Sequence, residues 1–171
     1  MLKNKGFSLI EVLIVVAIIL IIAAIAIPNL ARARMSANES SAASAIRSIT
    51  DAEISYYSMF PDIGYAAVIT DMGHTVPCTP APTHACLLDN NLATAIPGSN
   101  GHSGYVFLAT GISGGGPINA DYVAGGAPLN ASTTGTRDFC AVTDAVLRFQ
   151  PAVGAAPANA LATCLTFPVA N

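Results

Sequence analysis

Gly6-Phe7-Ser8-Leu9-Ile10-Glu11 opens an apolar run that extends to Ile27, and the reading of that run decides the fold. Phe7 to Ile27 is 21 residues long, and Glu11 is the one among them that carries charge. At the helical rise the run is roughly 31 Å long, close to the hydrocarbon thickness of a bilayer. A carboxylate four residues into such a helix costs on the order of 2–3 kcal/mol if it faces lipid unpaired, so Glu11 needs a partner. An ordinary membrane anchor that tolerates one acid near its end is the plainer reading, and the flanking residues supply a better one.

Those residues are Lys3, Lys5, Gly6 and Phe7 before the run, Glu11 within it and Pro28 directly after it. A short basic leader ending in Gly, an aromatic Phe, a Glu four residues on and a Pro closing the apolar run resemble the type IV pilin and pseudopilin superfamily. The resemblance covers about the first 30 residues. It implies cleavage by a membrane prepilin peptidase between Gly6 and Phe7, and N-methylation of the new Phe7 amine. It also implies a filament in which Glu11 pairs with the Phe7 amine of a neighbouring subunit, so Phe7, Glu11 and Pro28 are the expected assembly residues. One position departs from the family pattern. Eight residues before Pro28, where the family has Gly, this chain has Leu20. Gly costs a helix interior about 1 kcal/mol relative to Ala whereas Leu is a good helix former, which argues against the helix melting seen in family filaments. Pro28 still removes a backbone donor, so a bend is expected there.

The leader differs from a secretory signal peptide, which is cut after its apolar region beside small residues. Here the expected cut precedes the apolar region, and the helix stays on the mature chain. Lys3 and Lys5 place the leader in the cytoplasm by the positive-inside rule, and everything after Pro28 on the other side of the cytoplasmic membrane. The expected organisation is a leader over residues 1–6, a membrane and polymerisation helix over 7–28, and an exported head over 29–171. At 171 residues in all, the head has length enough for one modest core. Only 10 % of residues are charged while 53 % are hydrophobic, and a surface so poor in charge suits packing against copies of itself. No basic patch dense enough for nucleic acid is present.

Beyond Pro28 the helical pattern continues. Leu30, Ala33, Ala37, Ala42, Ala45, Ile46, Ile49, Ala52, Glu53 and Tyr56 recur at spacings of three and four, and no Gly or Pro intervenes before Pro61. One helix is therefore expected from about Phe7 to about Tyr57, apolar all round at first and amphipathic later. Residues 61–102 read as a connector with short helices over Tyr65–Met72 and Leu87–Ala95. From Gly104 the pattern turns to strands over 105–110, 120–124, 136–142 and 145–149, the last two joined by a Thr143-Asp144 turn. The expected fold is α+β, with the long helix packed on a four-stranded antiparallel sheet as in type IV pilins.

Four Cys in an exported domain favour disulfides. The sequence allows three pairings; Cys78 with Cys86 and Cys140 with Cys164 is the expected one, since each bridge closes a short loop and leaves the helix unconstrained. The second bridge also resembles the C-terminal disulfide loop of many type IV pilins.

No catalytic constellation is legible, and neither enzyme activity nor a cofactor is expected. His74, His84 and His102 lack the spacing of a zinc site and read as surface residues. Asp121, Asp138 and Asp144 lack EF-hand spacing and read as solvated turn acids. Asn38-Glu39-Ser40 and Asn130-Ala131-Ser132 fit the N-glycosylation pattern, the first in mid-helix. Two classes of function remain: a structural subunit of a surface filament, or an anchored, exported binding domain. Within the first class the larger domain and the C-terminal disulfide favour a pilin over a major pseudopilin of type II secretion. The expected partners are further copies of the chain, the inner membrane before assembly, the peptidase and the assembly machinery.

Overall fold

The computed structural model describes residues 7–74, 76–154 and 156–170. The sequence-predicted long helix is α1, Leu9–Met59, and it runs through Pro28 without a break. Residues up to Arg34 and from Met35 onward form two compact units.

In the second unit α1 buries Ala42, Ala45, Ile46, Ile49, Ala52 and Tyr56 of the stripe that its periodicity marks, whereas Leu30, Ala33 and Ala37 at the start of that stripe are exposed. Against this stripe lies an antiparallel sheet in the order β1-β2-β3-β4, comprising Tyr105–Ile112, Asp121–Pro128, Arg137–Val142 and Arg148–Pro151. Strand alternation sorts the side chains. Tyr105, Phe107 and Ala109 of β1, Tyr122 and Ala124 of β2, and Phe139 and Ala141 of β3 join the α1 stripe in one core. Val123, Cys140 and Val142 face the other way and are covered by Ala158, Cys164 and Phe167 of the C-terminal segment. That segment carries α3, Leu161–Leu165. The sheet is thus buried on both faces.

Four local expectations are corrected. Within Tyr65–Met72 only Ile69–Met72 turns, as a 3₁₀ helix. The preceding residues are held by distant groups instead: Tyr65 N–H donates to Asn119 O at 2.9 Å, Ala66 N–H to a Glu53 oxygen at 2.8 Å, and Val68 bridges Thr110. Of Leu87–Ala95 only α2, Asn90–Ala93, is helical. Asp89 caps it from outside, and Ala95 O is taken by Phe107 N–H at 2.7 Å. β2 does not stop before Gly125-Gly126 but continues through both. A Cβ on Gly125 would sit 2.2 Å from Ala158 O, and one on Gly126 3.0 Å from the Phe107 ring. These glycines let the tail and an aromatic ring approach the strand closely from opposite faces.

The fourth correction concerns the β3–β4 connection. Cys140 pairs with Arg148 and Arg137 with Pro151, so the loop is residues 143–147 rather than a two-residue turn. Ala145 takes φ 57°, Val146 N–H donates to Asp144 Oδ1 at 3.0 Å, and the Arg148 guanidinium grips the same carboxylate. That ion pair holds the Asp144 carboxyl below its usual range.

Candidate assembly segment and the head that carries it

The backbone entering α1 is fixed by its own side chains. Ser8 lies just outside the helix, and its carbonyl accepts the N–H groups of Glu11 and Val12 at 3.1 and 3.4 Å. Glu11 bends back so that Oε2 accepts Ser8 N–H at 3.1 Å. This is the glutamate half of a capping box, and it satisfies one of the donors that a helix start leaves orphaned. The Ser-x-x-Glu spacing that encodes it was visible in the sequence beside the more conspicuous charge argument. Glu11 therefore has a partner within its own chain.

Beyond the cap, apolar side chains cover every side of the helix, and the large ones from Leu9 to Ile27 stay exposed. Phe7, just before the helix, is 86 % exposed. A surface of this kind is covered by lipid or by other apolar helices, since water meets it at about 25 cal/mol per Å². Gly6, the expected residue before the cleavage point, lies outside the described residues, as do Lys3 and Lys5. Pro28 sits inside α1, and Arg32 and Arg34 are exposed one turn beyond it.

The disulfides are Cys78–Cys86 and Cys140–Cys164, with Cα separations of 6.3 and 5.8 Å. The first closes the Pro-rich loop, which is fastened to α1 where Tyr56 Oη donates to Pro82 O at 2.7 Å. The second joins β3 to α3 beneath the outer face of the sheet.

Charged groups of the head are more buried than the sequence suggests. Glu53, on the core-facing stripe of α1, is fully buried. Its Oε2 accepts Ala66 N–H, while Oε1 has no partner among the described residues. Burial pushes this carboxyl up to about 8, against the Ala66 bond that lowers it and with a further rise from Asp71. Tyr122, also fully buried, is pushed up to about 12 by desolvation. Asp138 is a correction: far from being a solvated turn acid, it is buried in β3, and its Oδ2 accepts Val153 N–H at 3.3 Å. Asp121 instead accepts the Thr143 hydroxyl at 3.2 Å. The three His are half-buried rather than fully exposed. Among the described residues no three His, Cys, Asp or Glu side chains converge into a metal-binding group.

Residues 1–27 match the family described as the prokaryotic N-terminal methylation motif. The N-terminus is thus similar to a prokaryotic N-terminal methylation motif. The chain is 45 % identical over 56 residues to the type IV major pilin protein PilA of Myxococcus xanthus, covering 33 % of this chain and 26 % of that protein. It is 66 % identical over 35 residues to the type IV wide pilus major component PilA4 of Thermus thermophilus, covering 20 % of this chain and 27 % of that protein. The chain thus spans about a quarter of the length of these curated relatives. No solved structure matches it significantly. An apolar N-terminal helix leading into a four-stranded antiparallel sheet is the α+β arrangement that the resemblance to type IV pilins implies.

Proposed function

We propose that the chain is the structural subunit of an extracellular type IV pilus and polymerises through its apolar helix. The observation that carries the reading is the exposed, uninterrupted apolar half of α1 with one acid at its start, within the segment that matches the methylation motif. An apolar helix of this length serves two surroundings in turn, lipid before assembly and like helices after it. In this reading residues 1–6 are removed by prepilin peptidase, and residues 7–28 hold the chain in the inner membrane. Residues 29–171 form the exported head, and assembly machinery moves the subunit into the filament.

Glu11 is the electrostatic centre of the proposal. Removal of the leader leaves the Phe7 amine one residue before the Ser8 N–H that Glu11 already accepts. In the filament the carboxylate would exchange part of this capping role for the methylated Phe7 amine of a neighbour. Without it that amine would be a buried charge lacking its partner, typically a cost of about 3–5 kcal/mol. The Glu11→Ala variant, expressed alone, is therefore expected to accumulate in the membrane with both disulfides formed and to yield little sheared filament. Normal filament yield from that variant would remove the assembly role and return the chain to the class of anchored binding domains. Sheared surface filament of the unaltered chain would also separate the pilus from the periplasmic pseudopilus of type II secretion.

A further inference from the structure

The two Asn-x-Ser tripeptides are alike in sequence, and the fold treats them in opposite ways. Asn38 lies within α1, half-buried, and its Nδ2 donates to Thr134 O at 2.9 Å. Its neighbour Glu39 accepts both the N–H and the hydroxyl of Thr136 at 2.7 and 2.6 Å. The first tripeptide is thus committed to bracing the β2–β3 loop.

That loop presents the second tripeptide. Asn130, Ala131, Ser132 and Thr133 are all exposed. The loop backbone closes on itself: Thr133 and Thr134 N–H donate to Asn130 O at 3.1 and 2.9 Å, and Asn130 N–H donates to Thr134 Oγ1 at 3.1 Å. Ser132 N–H donates to Gly135 O at 2.8 Å. Among the described residues the Asn130 side-chain amide makes no hydrogen bond. The loop is therefore held in place while the one nucleophilic amide on it stays free in solvent.

We propose that Asn130 is an N-glycosylation acceptor and that Asn38 is not. The inference rests on export of the head, because the donor it requires, a saccharide linked to a polyprenyl diphosphate, is consumed on the outer side of the membrane. In the transfer, Asn130 Nδ2 forms a bond to the anomeric carbon and the bond from that carbon to the diphosphate oxygen breaks. The diphosphate departs with the electron pair, and the displaced amide proton passes to a base of the transferase. Ser132 supplies the hydroxyl two residues on by which the acceptor pattern is recognised. A sugar at this point adds bulky polar cover to a chain in which only 10 % of residues are charged.

The test uses the full chain from the membrane and surface fractions of its own cells, by intact-mass and peptide-mass measurement. The expected result is a saccharide increment on the peptide containing Asn130 and none on the peptide containing Asn38. Enzymatic release of the sugar should leave Asp in place of Asn130. Asn130→Gln and Ser132→Ala should each abolish the increment, and Asn38→Gln should leave it. A bare Asn130 overturns the proposal, and so does a saccharide that survives Asn130→Gln, which would place it on a hydroxyl. The Phe7 methyl group and filament yield, read in the same samples, report on the assembly role separately.

Discussion

Glu53 makes the stability of the head depend on pH in an unusual direction. Its carboxyl is raised from 4.5 to about 8, so the folded state binds a proton more tightly than the unfolded chain. The stabilising proton is fully held in both states below about pH 4.5, and stability falls as pH rises from there to about 8. The separation of about 3.5 units corresponds to roughly 5 kcal/mol, of which about 4 kcal/mol falls between pH 5 and 8.5. Glu53→Gln keeps an oxygen for Ala66 N–H and carries no titrating proton. Urea unfolding of both proteins in detergent, disulfides intact and followed by tyrosine fluorescence, measures the difference. With a slope of about 2 kcal/mol per M, the unaltered protein should lose about 2 M in midpoint relative to the variant across that range. Asp71 and Asp138, raised by burial, push in the same direction, and Asp144, lowered by Arg148, in the opposite one. These groups are common to both proteins, so the difference isolates Glu53 and its coupling to Asp71. Parallel midpoint curves would refute the argument that desolvation governs this residue.

Three further outcomes are expected. Gly125→Ala should destabilise the head by about 2–3 kcal/mol through its clash with the Ala158 backbone, whereas Gly116→Ala, whose nearest contact is 3.6 Å, should change melting by little; equal melting of the two variants would contradict the close approach. Replacing Cys140 and Cys164 together by Ser should cost about 3.5 kcal/mol in the loop-entropy treatment, against about 2.6 kcal/mol for Cys78 and Cys86, and peptide mapping without reduction should recover only these two pairs. The mature chain should begin at Phe7 with a methyl group on its amine; a mature chain retaining Met1, or cut after Ala24 or Ala26, would remove the export reading.

The sequence by itself determined the parts whose causes are local. An apolar run of bilayer length, the spacing of Phe7 and Glu11, and a stripe at periods of three and four each act within one helix, and so the helix and its two characters were legible. The same holds for the four strands, whose β-branched and aromatic content marks them; of the three disulfide pairings that the sequence allows, the structure forms the one in which each bridge closes a short loop. Only the tertiary structure decided where the strands stop and which acids are buried. Gly125 and Gly126 read as a strand end until Ala158 and Phe107 arrive from elsewhere in the chain to need the space. Tyr65 to Val68 has a helical composition, but Asn119, Glu53 and Thr110 claim its backbone groups. Glu53 fits an amphipathic stripe as well as any polar edge residue would, and its desolvation follows only from the sheet and connector closing over it. Two identical Asn-x-Ser patterns differ for the same reason: Thr134, far away along the chain, engages one amide and leaves the other free.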